Sequence, residues 1–342
     1  MNEVSIIGLD LAKNVFQAHG AGADGSVAFR RKLSRGQLLK FLGEQPSCVV
    51  AMEACASAHH WGRAIGDLGH EIRLIPPAYV KPFMKRQKND MADAEAIAEA
   101  ASRPTMRFVA VKSEAQQAAA MAYRTRDLLV RQRTQTINAV RAHLAEQGIV
   151  APVGPAHIGR LAAIVDGNDG TLPAGVRDLA HLLLDQIEDL SEKIAGLDAE
   201  LRRRAGTDDT ARRLTTIPGI GPITAAAITT FAPPMETFSK GRDFAAWVGL
   251  TPRQHSSGGK ERLGRTSKMG QKDIRRLLIT GAIAVVRWAA RKGAPEGSWL
   301  ARMLARKPKM LVAVALANRM ARTAWALMRK GEDYRDPVAM AA

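Results

Sequence analysis

The sequence predicts an α/β domain followed by a mostly helical, basic region. Three observations carry this. Short β-branched and apolar runs occupy the first hundred residues in the order three strands, helix, strand, helix, strand, helix. Beyond them the apolar spacing changes from period two to the threes and fours of helices. The positive charge is concentrated at the far end.

Strand-like runs fall at 4–10, 14–19, 26–33, 48–53 and 71–75, with helix-like stretches at 35–44, 57–68, 77–85 and 91–102. Short links join the first three strands, as in an antiparallel meander, and helices separate the later ones, as in parallel crossovers. This mixed pattern is the layout of a ribonuclease-H-like domain, expected over 1–105. Residues 106–210 are expected to be a helical linker. A polar helix covers 114–148, with Met121, Leu128, Ile137, Val140 and Leu144 on its apolar positions and Arg124, Arg126, Arg131, Arg133 and Arg141 along it. A Gly- and Pro-rich stretch at 148–174 holds a short helix. Leu183, Ile187, Leu190, Ile194, Leu197 and Leu201 then alternate spacings of four and three, a heptad seam that predicts a coiled coil over about 179–204, between helices or between chains. Residues 211–342 are expected to form a basic, mostly helical domain.

Fifty Lys and Arg oppose 33 Asp and Glu, a formal charge of +17. Residues 241–342 carry 21 basic and 7 acidic groups, net +14, so the excess is local and predicts a polyanion partner. No apolar run approaches the ~18 residues of a membrane span, and no signal peptide is expected. Cys48 and Cys55 make no CxxC pair, which argues against a disulfide framework or a cysteine zinc site and fits a cytoplasmic setting. No GxxxxGK[ST] pattern is present.

Four acids stand out. Asp10 ends the first strand in "SIIGLDLAKN", and Glu53 ends the fourth in "CVVAME". In a ribonuclease-H-like sheet these strands are neighbours. Asp90 and Asp93, in "KNDMADAEAI", share one face of a helix start. A buried charge is costly unless something pairs with it. Four carboxylates in one pocket repel unless cations neutralise them, and hard divalent ions take oxygen ligands. Taken singly, Asp90 is accounted for as a helix N-cap, Asp93 or Glu95 as a first-turn charge and Asp10 as a turn cap. His59 and His60 are adjacent and face different directions, a poor metal pair, with one expected to pack and one to face solvent.

Two further stretches suit phosphate. "TTIPGIGPITAAAI", residues 215–228, reads either as a helix-hairpin-helix, with Gly219 and Gly221 letting backbone approach a phosphate, or as an ordinary tight helical hairpin with Gly at the cap. Residues 249–276 place Ser256, Ser257, Thr266 and Ser267 among Arg253, Lys260, Arg262, Arg265, Lys268 and Lys272. Such a loop serves either for phosphate contact or, with an activated hydroxyl, for nucleophilic attack.

"GLDLAKN", "MEACASAHHW", "KNDMADAEAIAEA", "IPGIGPITAAAI" and "FAAWVGLTPRQHSSGGKERLGRTSKMGQKDIRRLL" occur in this order. Together they resemble the transposases of the insertion-sequence 110 family over almost the whole chain, and "EACASAHHW" resembles its 1111 subgroup. The resemblance implies a RuvC-like N-terminal domain whose Asp-Glu-Asp-Asp set falls on Asp10, Glu53, Asp90 and Asp93. It implies Mg²⁺ as the metal, with Mn²⁺ as a substitute, and a coiled coil leading to a C-terminal transposase domain. In that domain a serine, here Ser257 with Ser256 one register away, becomes covalently joined to DNA. Target and donor DNA, a structured element-encoded bridge or seeker RNA and a dimer of dimers are the implied partners, with the long arginine-bearing helix an RNA contact. The alternatives are an RNA-independent RuvC-like nuclease or junction resolvase, which leaves the serine segment unused, and a non-enzymatic basic DNA-binding protein. An actin-like sugar kinase also begins with a strand, acid and hairpin, but the charge of the last third argues against it.

Overall fold

The computed structural model describes residues 3–84, 90–167 and 172–335. The chain divides into two compact units, Met1–Gln117 and Ala118–Ala342.

The first unit is a five-stranded sheet in the order β3-β2-β1-β4-β5. The strands are β1 (Ile6–Asp10), β2 (Val15–Ala21), β3 (Val27–Ser34), β4 (Val49–Glu53) and β5 (Glu71–Ile75). The meander β1-β2-β3 is antiparallel, whereas β4 and β5 add to β1 in parallel, each reached through a helix. Those helices are α1 (Leu38–Gly43) and α2 (Ala58–Gly66); the short α3 (Pro77–Val80) and then α4 (Asp90–Ala101) follow β5. The expected helix 77–85 ends beyond α3 in a 3₁₀ turn at Lys81–Phe83, and its last residue lies outside the described residues.

Side chains alternate across a strand, so the two faces bury different sets. Ile7, Leu9, Val50 and Met52 join Leu38, Leu42, Trp61 and Ile65 in one core. Ile6 and Ala51 join Ile97, Ala98 and Ala101 of α4 in the other. By the same alternation, Gly8 and Asp10 face α4, as does Glu53. The unit runs past residue 105 because Val109 bridges to Leu74 and Val111 packs against Gly62.

The second unit is helical. The 32-residue α5 (Glu114–Ala145) begins in the first unit and runs into it, followed by α6 (Ile158–Asp166) and the 34-residue α7 (Ala174–Thr207). Residues 168–171 of the expected Gly/Pro-rich stretch lie outside the described residues. Arg126 pairs with Asp198, and Arg133 donates to Ser191 Oγ at 3.3 Å. One number rises by seven as the other falls by seven, so α5 and α7 run antiparallel. Ile187, Leu190, Ile194 and Leu201 of the heptad seam are buried within this single chain. Within this chain Ile187 packs with Ile137, Val140 and Leu144 of α5.

The remaining helices are α8 (Asp209–Leu214), α9 (Pro222–Phe231), α10 (Gly241–Val248), α11 (Lys272–Lys292), α12 (Trp299–Arg306) and α13 (Lys309–Lys330). They share one core, which includes Leu214, Ile228, Phe244, Leu278, Ala317 and Ala321. Strands β6 (Pro252–Gln254) and β7 (Leu263–Thr266) form an antiparallel ribbon between α10 and α11 in sequence. Asp208 caps α8 by accepting from the Thr210 and Ala211 N–H groups.

Candidate active site

The acidic site forms where β1 and β4 end and α4 begins. Parallel register places Leu9 beside Met52, so Asp10 and Glu53 leave adjacent strands together. The approach of α4 is set by Gly8. A Cβ at that position would lie 2.1 Å from the Ala94 carbonyl oxygen and 2.7 Å from the Ala98 nitrogen. Backbone-to-backbone contact therefore brings α4 down onto β1, with Ala94 and Ala98 small enough to permit it. The first turn of α4 delivers Asp90 and Asp93, whose charges also suit a helix N-terminus.

Ligand oxygens of Asp10, Asp90 and Asp93 all lie within 4.8 Å of one another. Glu53 is outside that triplet but feels it. Burial, and then the charges of Asp10 and Asp93, hold its half-buried carboxyl above the ordinary carboxylate range. The Cys55 thiol is likewise raised, by partial desolvation and then by Glu53 and Asp10. Three converging carboxylates offer hard oxygen donors, the donor set of a divalent cation of the Mg²⁺, Mn²⁺ or Ca²⁺ kind. Between β4 and α2, Ser57 has a left-handed φ of 70°, a non-glycine backbone strain four residues after Glu53. The histidines behave as expected: His59 Nδ1 accepts from the Lys112 N–H at 3.2 Å, while His60 is exposed.

The hydroxyl-bearing segment is a hairpin in the second unit. Its ribbon β6-β7 leads to the turn Ser257-Gly258-Gly259-Lys260, closed by the Lys260 N–H donating to the Ser257 carbonyl at 3.1 Å. Gly258 and Gly259 have φ of 56° and 77°, the pair of positive values a type I′ hairpin turn requires. Ser256 Oγ accepts from the Arg262 N–H at 3.1 Å and so serves the hairpin. Ser257 is exposed, and its hydroxyl has no hydrogen-bond partner among the described residues. Lys260, Arg262, Arg265, Lys268 and Lys272 are exposed, while Arg253 reaches back to the Ser267 carbonyl at 3.3 and 3.4 Å.

Some expected contact residues have structural work instead. Gly219, with φ of 91°, packs inward, where an added Cβ would lie 3.0 Å from both Val285 and Met320 and 3.1 Å from the Gly281 carbonyl. That contact calls for a glycine there, and Gly221, which precedes α9, faces open space. The arginines of α5 are mostly spent inside the unit: Arg126 on Asp198, Arg133 on Ser191, and Arg141 on the Ala151 carbonyl at 3.0 Å. Sequence reasoning missed Arg275, which braces the base of the hairpin by donating to the Val248 and Met269 carbonyls at 2.9 and 3.2 Å. In "DIRRLL" it reads as one more surface cation, and its neighbour Arg276 pairs with Asp127.

Residues 211–295 match the family described as Transposase IS116/IS110/IS902, and residues 7–148 match a DEDD transposase family of IS110 elements. A probable family 20 transposase of Pseudomonas aeruginosa is 47% identical over 97% of this chain and 99% of its own length. The chain belongs to the IS116/IS110/IS902 transposase family. The transposase of element IS1328 from Yersinia enterocolitica is 43% identical, covering 97% of this chain and 98% of its own. That of IS1111A from Coxiella burnetii is 36% identical over 98% and 92%. The family membership makes this a DNA-processing transposase enzyme of insertion sequences. The DEDD family match and the carboxylate cluster together point to divalent-metal use. Among the described residues, no helix is long and apolar enough to cross a membrane.

Proposed function

We propose that this transposase cuts and rejoins DNA by metal-assisted phosphoryl transfer through a covalent link to Ser257. The observation that carries the metal-assisted part of the reading is the convergence of Asp10, Asp90 and Asp93 at the end of a mixed sheet whose order suits a RuvC-like fold, and the serine part rests on the family resemblance. Mg²⁺ is the ion assigned to these three, with Glu53 at the rim and Mn²⁺ as a substitute. When bound, the ion supplies charge neutralisation for the phosphate and acidification of an attacking hydroxyl.

The residues divide the remaining work. Asp10, Asp90 and Asp93 would hold the ion, and Glu53, its carboxyl raised above the ordinary carboxylate range by burial and then by Asp10 and Asp93, is the candidate to take up a proton beside them. Attack by Ser257 Oγ forms a serine–phosphate ester and expels a deoxyribose oxygen, which takes up a proton. Attack on that ester by the hydroxyl of another strand restores the phosphodiester and frees the serine. The number of phosphate esters is conserved, so no nucleotide is consumed. Support for Ser257 over Ser256 comes from the hydrogen bond that commits Ser256 Oγ to the Arg262 N–H. Lys260 and Arg262, exposed beside the turn, are the candidates to meet the phosphate charge.

Target and donor DNA are the assigned substrates. An element-encoded structured RNA as guide and a dimer of dimers as the working assembly rest on the family resemblance. The +14 charge of residues 241–342 supports a polyanion partner. The experiment is trapping on DNA carrying the element ends, with the RNA encoded beside the gene. An SDS-resistant protein–DNA adduct is expected, lost in Ser257→Ala while DNA binding persists, with the modified peptide holding Ser257. Cleavage without any adduct overturns the serine step and leaves a metal-only nuclease, which the acid cluster alone would also support.

A further inference from the structure

A cleft of about 1210 Å³ opens in the second unit along α13, bounded by the base of the β6-β7 ribbon and by α12. It exceeds the roughly 300–1,000 Å³ of ordinary small-molecule pockets. Arg265 and Lys268 line it from the ribbon side, and Arg319 and Arg322 from α13. All four are exposed, and among the described residues none of them forms an ion pair and no carboxylate lines the cleft. The charge has a sequence origin. The 22 residues of α13 include Lys309, Arg319, Arg322, Arg329 and Lys330 and no acid, and one face of the helix (Val312, Ala313, Ala317, Met320, Ala321 and Ala324) is consumed by the core. Arg319 and Arg322 are left together on the cleft side by their i, i+3 spacing.

Two indoles also line the cleft. The Arg319 guanidinium lies 5.3 Å above the Trp299 ring, and Trp325 is fixed by donating its Nε1–H to the Met235 carbonyl at 3.3 Å. Cations beside aromatic faces are the means by which proteins hold unpaired nucleotides: cations follow the backbone and rings stack on bases. A duplex hides its base faces and gives the indoles nothing to stack on.

We propose that this cleft is a single-stranded DNA site that holds the nucleotides flanking the phosphate presented to the hairpin turn. The ribbon that ends at Ser257 forms one wall, so a strand leaving the turn along β7 passes Arg265 and Lys268 before reaching α13. The choice of DNA over RNA rests on the reading of Ser257 given above. The cleft's preference for an unpaired strand does not.

The test uses the full chain and a labelled oligo(dT) of about 16 nucleotides, the upper end of single-strand site sizes. Its anisotropy is followed across a salt series, with the matching duplex and oligo(rU) as competitors. Arg319→Gln/Arg322→Gln is expected to weaken oligo(dT) binding about tenfold or more and to flatten the log K against log salt slope by roughly 1.4, two phosphate contacts' worth. Trp299→Ala is expected to weaken it roughly five- to a hundredfold with the slope unchanged, since stacking releases no counterions. Should Trp299→Ala not fold, the exposed arginine pair carries the test. Unchanged oligo(dT) affinity in the arginine variant overturns the site. An equal loss for duplex assigns a duplex surface instead, and a loss confined to oligo(rU) assigns RNA; either overturns the proposal. Adduct formation at Ser257 is scored separately. A missing adduct with intact cleft binding removes the serine mechanism and leaves the cleft standing.

Discussion

The acid cluster and the serine hairpin are built by opposite means. Asp10 and Glu53 leave two central strands buried on both faces, and Asp90 and Asp93 begin a helix pressed against β1 through Gly8. Their spacing is a property of the folded core. Ser257 stands on an eight-residue excursion between two short strands, with every residue from Pro252 to Leu263 exposed. Its position is set by a two-glycine turn, the Ser256–Arg262 contact and the Arg275 brace at the base. A cluster of like charges needs a rigid frame, because repulsion would otherwise spread it. Under the proposed serine step, the nucleophile would stand on a local mount whose geometry is set by the hairpin and not by the core.

The largest effect that separates the two regions is expected from Asp10→Asn. Cleavage should fall at least a hundredfold, about 2.7 kcal/mol of barrier. The metal-free protein should melt no lower than wild type, because one of three mutually repelling charges is gone. A melting temperature lowered in EDTA as much as in Mg²⁺ would show Asp10 to be a structural acid. Next is Gly8→Val. Its added atoms meet Ala94 and Ala98 backbone, and overpacking of this kind costs about 1–3 kcal/mol. Because α4 must lift to relieve it, metal affinity by calorimetry should fall along with stability. Metal affinity retained at wild-type strength would disconnect the Gly8 contact from the site.

Gly8 also shows how far the sequence could be read. The order of strands and helices, the ends of β1 and β4 and the acids that leave them follow from apolar periodicity, because one-dimensional spacing determines which face a residue takes. That Gly8 is a contact point does not follow, since its partners lie 86 and 90 positions away at Ala94 and Ala98. The fates of the arginines were hidden for the same reason. Arg126, Arg133, Arg275 and Arg276 look like surface charge until the fold brings Asp198, Ser191, two carbonyls and Asp127 to them. The seam of α7 was legible as a seam, but its partner depended on α5 folding back antiparallel.

A smaller effect probes the field of the acid cluster. In the folded, metal-free chain the Glu53 carboxyl titrates above its ordinary 4.5, because burial and then Asp10 and Asp93 disfavour its charge. Between those two pH values the folded state holds more protons than the unfolded one. Stability therefore falls as pH rises through that window and levels off above the raised value. Glu53→Gln should remove this part of the pH profile in EDTA, and a divalent ion should shrink it in wild type. Identical profiles for wild type and Glu53→Gln, measured by urea unfolding from pH 4 upward, would show that the cluster exerts no such field.

The smallest effect on stability is expected at the hairpin, and there the comparison becomes sharpest. Gly258 and Gly259 both sit at positive φ, and an L-residue pays roughly 1–2 kcal/mol for that conformation, less when it is Asn. Gly258→Asn creates the Asn-Gly pair that type I′ turns favour, so the turn should keep its shape and adduct formation its rate. Gly259→Val puts a β-branched residue where φ is 77° and should open the turn. Since the tip is exposed and outside any core cluster, neither change should move the melting temperature by more than a degree or two. The readouts are local: amide exchange at Lys260, whose N–H closes the turn, and the rate of covalent capture at residue 257. Fast exchange and slow capture in Gly259→Val, at an unchanged melting temperature, would show that a nucleophile on a local mount is tuned independently of the fold. A melting temperature that drops with the capture rate would place the hairpin in the core's cooperative unit, and the contrast with the acid site would be lost.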